Sequence, residues 1–240
     1  MATQIEKAPW QAAGSEKREA VRDLFSGIAD RYDLLNSIMS LSRHRRWREH
    51  AVSTLELKRG DSALDVCSGT GDFLVPLRKA VGSDGRVLGV DFCLPMLRRA
   101  REKSAPGFLM QGDASALPVQ SDSVDAVTVG WGIRNVQDID KAHHEIVRVL
   151  KTGGRFVSLD MALPRNNVTR AVSGVICGRL LPLLGSLFGA KKAYIYLPKS
   201  TQSFASREQL AESMKHAGFV EIGWKDLMFG NICMHWGRKP

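Results

Sequence analysis

Near the N-terminus apolar side chains recur three and four residues apart, at Val21, Leu24, Phe25 and Ile28, and the stretch from about Ser15 to Leu57 reads as helical. Beyond it the period shortens. Runs of small and β-branched residues near Ala63–Cys67, Arg86–Val90, Gly107–Gln111, Val124–Gly130 and Arg155–Asp160 read as strands. Helical stretches after Gly71, after Pro95 and from Asp138 to Leu150 separate them. This alternation predicts an α/β fold, a mainly parallel sheet with right-handed crossovers. Arg207–Ala217 reads as one more helix, and Val220–Lys225 with Asn231–Trp236 as a closing hairpin at the sheet edge, which makes seven strands. Lys151-Thr-Gly-Gly154 reads as a helix end with glycine placed for the left-handed conformation.

One region departs from the alternation. Val168, Ala171, Val172, Val175 and Ile176 share a helix face, and Leu183, Leu184, Leu187 and Phe188 extend an apolar surface beyond Pro182. Arg179 and Pro182 interrupt the run, which is too short and broken to span a bilayer. A helical insertion over about 165–200 therefore packs on the sheet, covers an apolar ligand or lies on a membrane surface. A helical segment over 1–58 is expected to pack on a main unit over 59–240, in one domain overall; 240 residues suffice for a single α/β core.

Candidate chemistry sits in Leu64-Asp65-Val-Cys-Ser-Gly69-Thr70-Gly71-Asp72. A strand, a glycine turn and a helix place backbone N–H groups against a ligand. Asp91, about 20 residues on, ends the second strand and can accept both ribose hydroxyls. Asp113 follows the third strand. A dinucleotide fingerprint needs a third glycine, where this chain has Leu74, and no Gly-Lys-Ser/Thr forms a phosphate loop. A glycine turn, two further acids and no phosphate machinery suit S-adenosylmethionine, which carries an amino acid, a ribose and an adenine.

Charge and cysteines add little. The net charge of +9 gathers in Arg43–Arg48, Arg98–Arg101 and Lys191-Lys192, compatible with nucleic acid, an anionic membrane or solvated helix faces. Cys67, Cys93, Cys177 and Cys233 form no paired motif, so neither a metal nor a disulfide framework is expected, and reduced thiols suit the cytoplasm. Met1–Glu19 lacks the apolar run of a signal peptide.

Four segments together narrow the reading: Arg31-Tyr-Asp-Leu-Leu-Asn36 with Leu41–Trp47; Leu64–Asp72; Gly132-Ile-Arg-Asn-Val-Gln-Asp138 leading to Arg155; and Ala193-Tyr-Ile-Tyr-Leu-Pro198 with Phe204. On these the chain resembles the demethylmenaquinone and ubiquinone-precursor C-methyltransferases, a family of class I, Rossmann-like methyltransferases. The resemblance implies methyl transfer from S-adenosylmethionine to a ring carbon of a prenylated quinol, without metal. It carries cofactor contacts to Asp65, Gly69, Thr70, Gly71, Asp91, Phe92, Asp113, Ala114 and Gly130. Gly130 stands where the family often has Ser, and Asp160 where it often has Glu. On the acceptor side it points to Arg134, Asn135 and Tyr32, with Asn36 and His44 behind them. Arg134, a poor base because its pKa exceeds 12, would stabilise a phenolate or orient a water. His143 and His144 read as surface residues, and His235 stays open. The partners implied are the quinol, an anionic membrane surface and a second copy in a homodimer. With no Asn/Asp-Pro-Pro-Tyr motif, no nucleic acid is expected. The rivals are another small hydrophobic acceptor and a non-catalytic subunit.

Overall fold

The structure is a computed structural model that describes residues 14–40, 42–103, 105–176, 178 and 191–240. The expected apolar surface from Leu183 to Phe188, with Arg179 and Pro182, lies outside the described residues.

Helices α1 (Gly14–Ser26), α2 (Tyr32–Ser40) and α3 (Arg43–Ser53) open the chain. Then come β1 (Ser62–Val66), α4 (Leu74–Val81), β2 (Arg86–Asp91), α5 (Leu94–Glu102) and β3 (Phe108–Gln111). After β4 (Val124–Gly130), α6 (Ile139–Val149) and β5 (Leu150–Met161), helices α7 (Asn167–Val175), α8 (Lys191–Gln202) and α9 (Arg207–His216) lead to β6 (Val220–Leu227) and β7 (Ile232–Arg238).

The seven strands form one sheet in the order β3-β2-β1-β4-β5-β7-β6, with β7 antiparallel to both neighbours and the rest parallel. The closing hairpin is there, its second strand slotted inside and β6 left at the edge. Strand order reverses between β1 and β4, and ligands of such sheets bind outside the carboxyl ends at that point.

Alternation along β1 builds the core on both faces. Ala63 joins Val87, Ala126 and Val157 under Leu74 and Leu77 of α4, while Leu64 and Val66 join Val127, Val129 and Phe156 under Ile146 of α6 and Met214 of α9. Burying each such large side chain contributes about 1.5–3 kcal/mol. Among the described residues no helix is long and apolar enough to cross a membrane.

Two local expectations are corrected. Lys151–Gly154 is an irregularity inside β5, whose pairing jumps from Val124↔Leu150 to Ala126↔Arg155. Gly153 does take φ +79°, but the helix has already ended at Val149. His143 is buried, not on the surface; Nδ1 lies 2.8 Å from the Ser213 hydroxyl of α9, and its ring packs edge-on to Phe156. Burial pushes its pKa down to about 4, so it sits in the core as a neutral ring. His235 is buried as well, with Nε2 3.1 Å from the Arg207 carbonyl.

Candidate active site

The turn after β1 reverses the chain through left-handed backbone at Cys67 (φ +57°), Gly69 (+52°) and Gly71 (+83°). Only glycine enters that region at no steric cost, so the two glycines are where the turn needs them. Cys67 pays with strain of the kind that concentrates at functional sites. The turn, the end of β2 and the end of β3 enclose a cavity of about 760 Å3, mouth included, lined by Gly69, Asp91, Phe92, Asp113, Ala114 and Gly130.

Asp91 anchors this cavity. Its Oδ2 accepts from the Gly69 N–H at 2.7 Å and its Oδ1 from the Cys93 N–H at 2.8 Å, so each oxygen keeps a lone pair for a ligand hydroxyl. Burial pushes its pKa up to about 6, against the pull of those two N–H groups. Asp113 accepts from the Ser115 N–H and pairs with Arg18 of α1 at 3.2 Å. Lys17 of α1 reaches the Val136 carbonyl at 3.2 Å, so the first helix lies across the cavity. Among the described residues Arg18 is the one basic side chain in the lining, and Phe92, Met96 and Val136 supply apolar walls. This set fits a nucleoside without phosphates, as S-adenosylmethionine requires.

Three sequence candidates do not line the cavity. Asp65 lies under the turn and accepts from Thr128 at 2.7 Å; burial pushes its pKa up to about 8. Thr70 turns its hydroxyl to Asp33 of α2, at 2.5 Å. Gly71 faces the other way, toward Ala100 and Ala105. Gly130 does line it, and a Cβ there would stand 2.7 Å from the Phe73 ring. Glycine at this position thus follows from Phe73.

A second cavity, about 1240 Å3 with its mouth, shares Phe25, Tyr32 and Trp131 with the first. Leu24, Ile28, Leu35, Met39, Ile176, Leu197 and Ile232 make it largely apolar. Arg134 reaches its wall from the turn after β4. Its guanidinium pairs with Asp160 at 2.5 Å and donates to the Trp131 carbonyl at 2.7 Å, and the Asp160 carboxylate also takes the Arg134 N–H at 3.1 Å. Burial opposes the Arg134 charge most strongly, but Asp160 together with Tyr196 and Tyr32 outweighs it and raises its pKa further. Asp160 therefore holds the arginine. Asn135 accepts from the Tyr196 hydroxyl at 2.7 Å and donates to the Trp131 carbonyl at 3.1 Å, which uses both ends of its amide, and it lines the first cavity rather than the second. Tyr32 stands between the cavities; burial raises its pKa, opposed by Asn36, Arg48 and Arg134.

The sequence reading missed a cluster beneath this wall. Asp72 takes Lys103, just after α5, at 2.9 Å and Arg48 of α3 at 3.4 Å, and Lys103 also pairs with Asp33 at 2.5 Å. Burial raises the pKa of Asp72, yet Arg48 and Lys103 bring it below the ordinary carboxylate range. Arg48 stacks 4.7 Å above the Trp131 ring, a contact that helps hold a buried cation. The cluster ties α2 and α3 to the glycine turn. Arg48 stands four residues after His44 on one helix face, but that spacing points to neither Asp72 nor Lys103.

The profile of the ubiE/COQ5 methyltransferase family matches residues 12–239. The chain belongs to that family. As a ubiE/COQ5 family methyltransferase it uses S-adenosylmethionine as the methyl donor. It is 39% identical to the demethylmenaquinone methyltransferase of Desulfitobacterium hafniense, over 95% of this chain and 93% of that one. With the Shouchella clausii protein of the same name it shares 37%, over 93% and 98%. An S-adenosylmethionine-dependent methyltransferase structure from Thermotoga maritima superposes with a TM-score of 0.66 at 21% identity, covering 91% of this chain and 99% of that one. Phosphoethanolamine N-methyltransferase 2 of Haemonchus contortus, solved with S-adenosyl-L-methionine, gives 0.60 at 17%, over 81% and 52%. These two share the class I fold.

Proposed function

We propose that this family member methylates a ring carbon of demethylmenaquinol, a prenylated quinol, to give menaquinol. One observation carries the reading: the nucleoside cavity shares Tyr32 and Trp131 in its wall with a larger, adjoining apolar cavity that has polar atoms in want of partners. Four buried side-chain polar atoms among the described residues lack a hydrogen-bond partner, and Arg48 Nε, Arg134 Nε and Tyr194 Oη belong to residues lining that apolar cavity. Leaving such an atom unpaired costs about 1–3 kcal/mol. An aromatic ring with oxygen substituents and a hydrocarbon tail answers both features. The names of the relatives support the same acceptor.

The bound cofactor supplies an electrophilic methyl group. The chain's task is to align the acceptor ring with it and to favour charge on the acceptor oxygen. Tyr32 and Trp131, common to both cavities, set the ring against the cofactor. Arg134, fixed by Asp160, is assigned the charge that builds on that oxygen. Its raised pKa and ion pair make it a cation throughout, so proton acceptance falls to another group.

The tail gives the exposed apolar face a use. Val168, Val172 and Val175 of α7, with Phe229 before β7, stand in solvent, and Ile176 and Met228 line the cavity. We assign this face to contact with an anionic membrane surface, from which the acceptor enters.

The test is mass spectrometry after incubation with methyl-labelled S-adenosylmethionine and chemically reduced demethylmenaquinol. One labelled methyl on the ring carbon is expected. Cofactor binding without any labelled quinol would overturn the acceptor and favour another small hydrophobic one.

A further inference from the structure

The proton acceptor is the part of the reaction that Arg134 leaves open, and the apolar cavity holds a second candidate. His44 of α3 is buried and lines that cavity. Its Nδ1 lies 2.6 Å from Ser40 Oγ, and the Ser40 hydroxyl lies 2.6 Å from the Asn36 carbonyl oxygen. A carbonyl can only accept, so the single hydroxyl proton goes to Asn36, and Ser40 Oγ is left to accept from Nδ1–H. The His44 backbone N–H points to the same oxygen at 3.4 Å. This fixes the tautomer: Nε2 carries the free lone pair. Nε2 lies 4.0 Å from Asp72 Oδ2, too far for a hydrogen bond but close enough for a charge interaction.

We propose that His44 Nε2 is the catalytic group that takes the hydroxyl proton of the quinol, with Ser40 holding its tautomer and Asp72 stabilising the imidazolium. The inference rests on the quinol reading above. The facing charges are Arg48 and Arg45 on α3 itself, Asp72 on the glycine turn and Asp33 on α2. Burial first, then Arg48, push the His44 pKa down to about 4, so the ring is uncharged and ready to accept at neutral pH. Such a ring is a weak base toward a resting phenol. It suffices because proton transfer accompanies methyl transfer: the hydroxyl becomes far more acidic as its ring turns into a ketone, and Arg134 meets the negative charge that the departing proton leaves on the oxygen. The balance closes. A C–C bond forms as the donor's C–S bond breaks, and the O–H proton passes to Nε2. The methylated carbon then loses its hydrogen as a proton to water while Nε2 returns its proton to the oxygen. The net products are the methylated quinol, the thioether and one proton.

The experiment compares wild type, His44→Ala and His44→Gln, with kcat on demethylmenaquinol, S-adenosylmethionine affinity by calorimetry, and added imidazole. Both variants are expected to lose at least about 100-fold in kcat, within the range for one general base. Cofactor affinity should stay within about twofold, and imidazole should restore part of the His44→Ala rate but none of the His44→Gln rate. Raising the pH toward the phenol pKa should also narrow the gap, since a phenolate needs no base. A loss below about fivefold, or a loss that neither imidazole nor high pH relieves, would overturn the assignment and leave His44 a packing residue. If His44→Ala does not fold, the pH profile of His44→Gln decides. Failure of the wild-type enzyme to methylate the quinol would be the separate failure of the acceptor reading.

Discussion

The two adjoining cavities are made by different means. The nucleoside cavity is backbone work: a left-handed turn, the ends of β1, β2 and β3, and carboxylates fixed by N–H groups two to four residues from a strand end. The acceptor cavity is assembled from side chains of α1, α2, α3, α7, α8 and the turn after β4, with its charges set by partners far along the chain, such as Arg134 with Asp160. The first should answer to substitution through affinity for the cofactor, the second through turnover.

Arg134→Ala should break that division most visibly. Loss of one donor aimed at developing negative charge costs about 100- to 1000-fold in kcat. Turnover with labelled cofactor should fall by that much while calorimetry shows cofactor affinity near wild type. Equal losses in both would place Arg134 in the nucleoside cavity's service. Stability should fall too, because Asp160 would remain buried without its partner, a change that costs about 3–5 kcal/mol.

Asp91→Ala should show the opposite profile. Its charge-assisted bonds contribute about 1.5–3 kcal/mol, so cofactor affinity should drop at least tenfold. The melting temperature should fall as well, since the Gly69 and Cys93 N–H groups lose their acceptor. pH sharpens this. With a pKa near 6, Asp91 gains a proton below that value, so calorimetric affinity should weaken as pH falls through 6 in wild type. Stability of the ligand-free protein moves the other way: a raised carboxyl pKa stabilises the fold at low pH, and that contribution fades as pH rises through 6.

The same contrast explains what was legible in the sequence. Period-2 and period-3.6 patterns are local, and they carried the sheet, its hairpin and the position of Asp91. The glycines at 153 and 154 announced a left-handed residue without saying whether a helix stopped or a strand buckled there. His143 has polar sequence neighbours, but it lies four residues after Ile139 and three before Ile146, the face that packs on the sheet. That spacing held the signal. The Asp72, Arg48 and Lys103 cluster had no local signature, because its three members come from separate elements and meet only after folding.

Gly130→Ser tests whether packing against Phe73 is what requires glycine at this position. The new Cβ would meet the Phe73 ring, and overpacking of this kind costs about 1–3 kcal/mol. Thermal unfolding should show that loss, and Gly130→Ser with Phe73→Leu should recover part of it. A change in cofactor affinity without any change in stability would mean that the position is about the ligand rather than the ring.

The smallest effect on the fold should come from the exposed apolar face, and it is informative for that reason. Met228 and Phe229 both carry left-handed backbone, at φ +48° and +56°, and Phe229 is 84% exposed. A bulky side chain in that conformation costs of order 1 kcal/mol, with no buried area to offset it. Phe229→Gly should therefore leave the melting temperature equal or higher. If the face meets a membrane, the same change should weaken co-sedimentation with anionic vesicles at low salt, while labelled methyl transfer to a short-tailed quinol stays at the wild-type rate. A fall in stability would show that Phe229 packs in the native state, and unchanged sedimentation would remove it from the membrane contact. Equal stability with lost binding would mean that the strained turn holds this ring out as an anchor beside the entrance of the acceptor cavity.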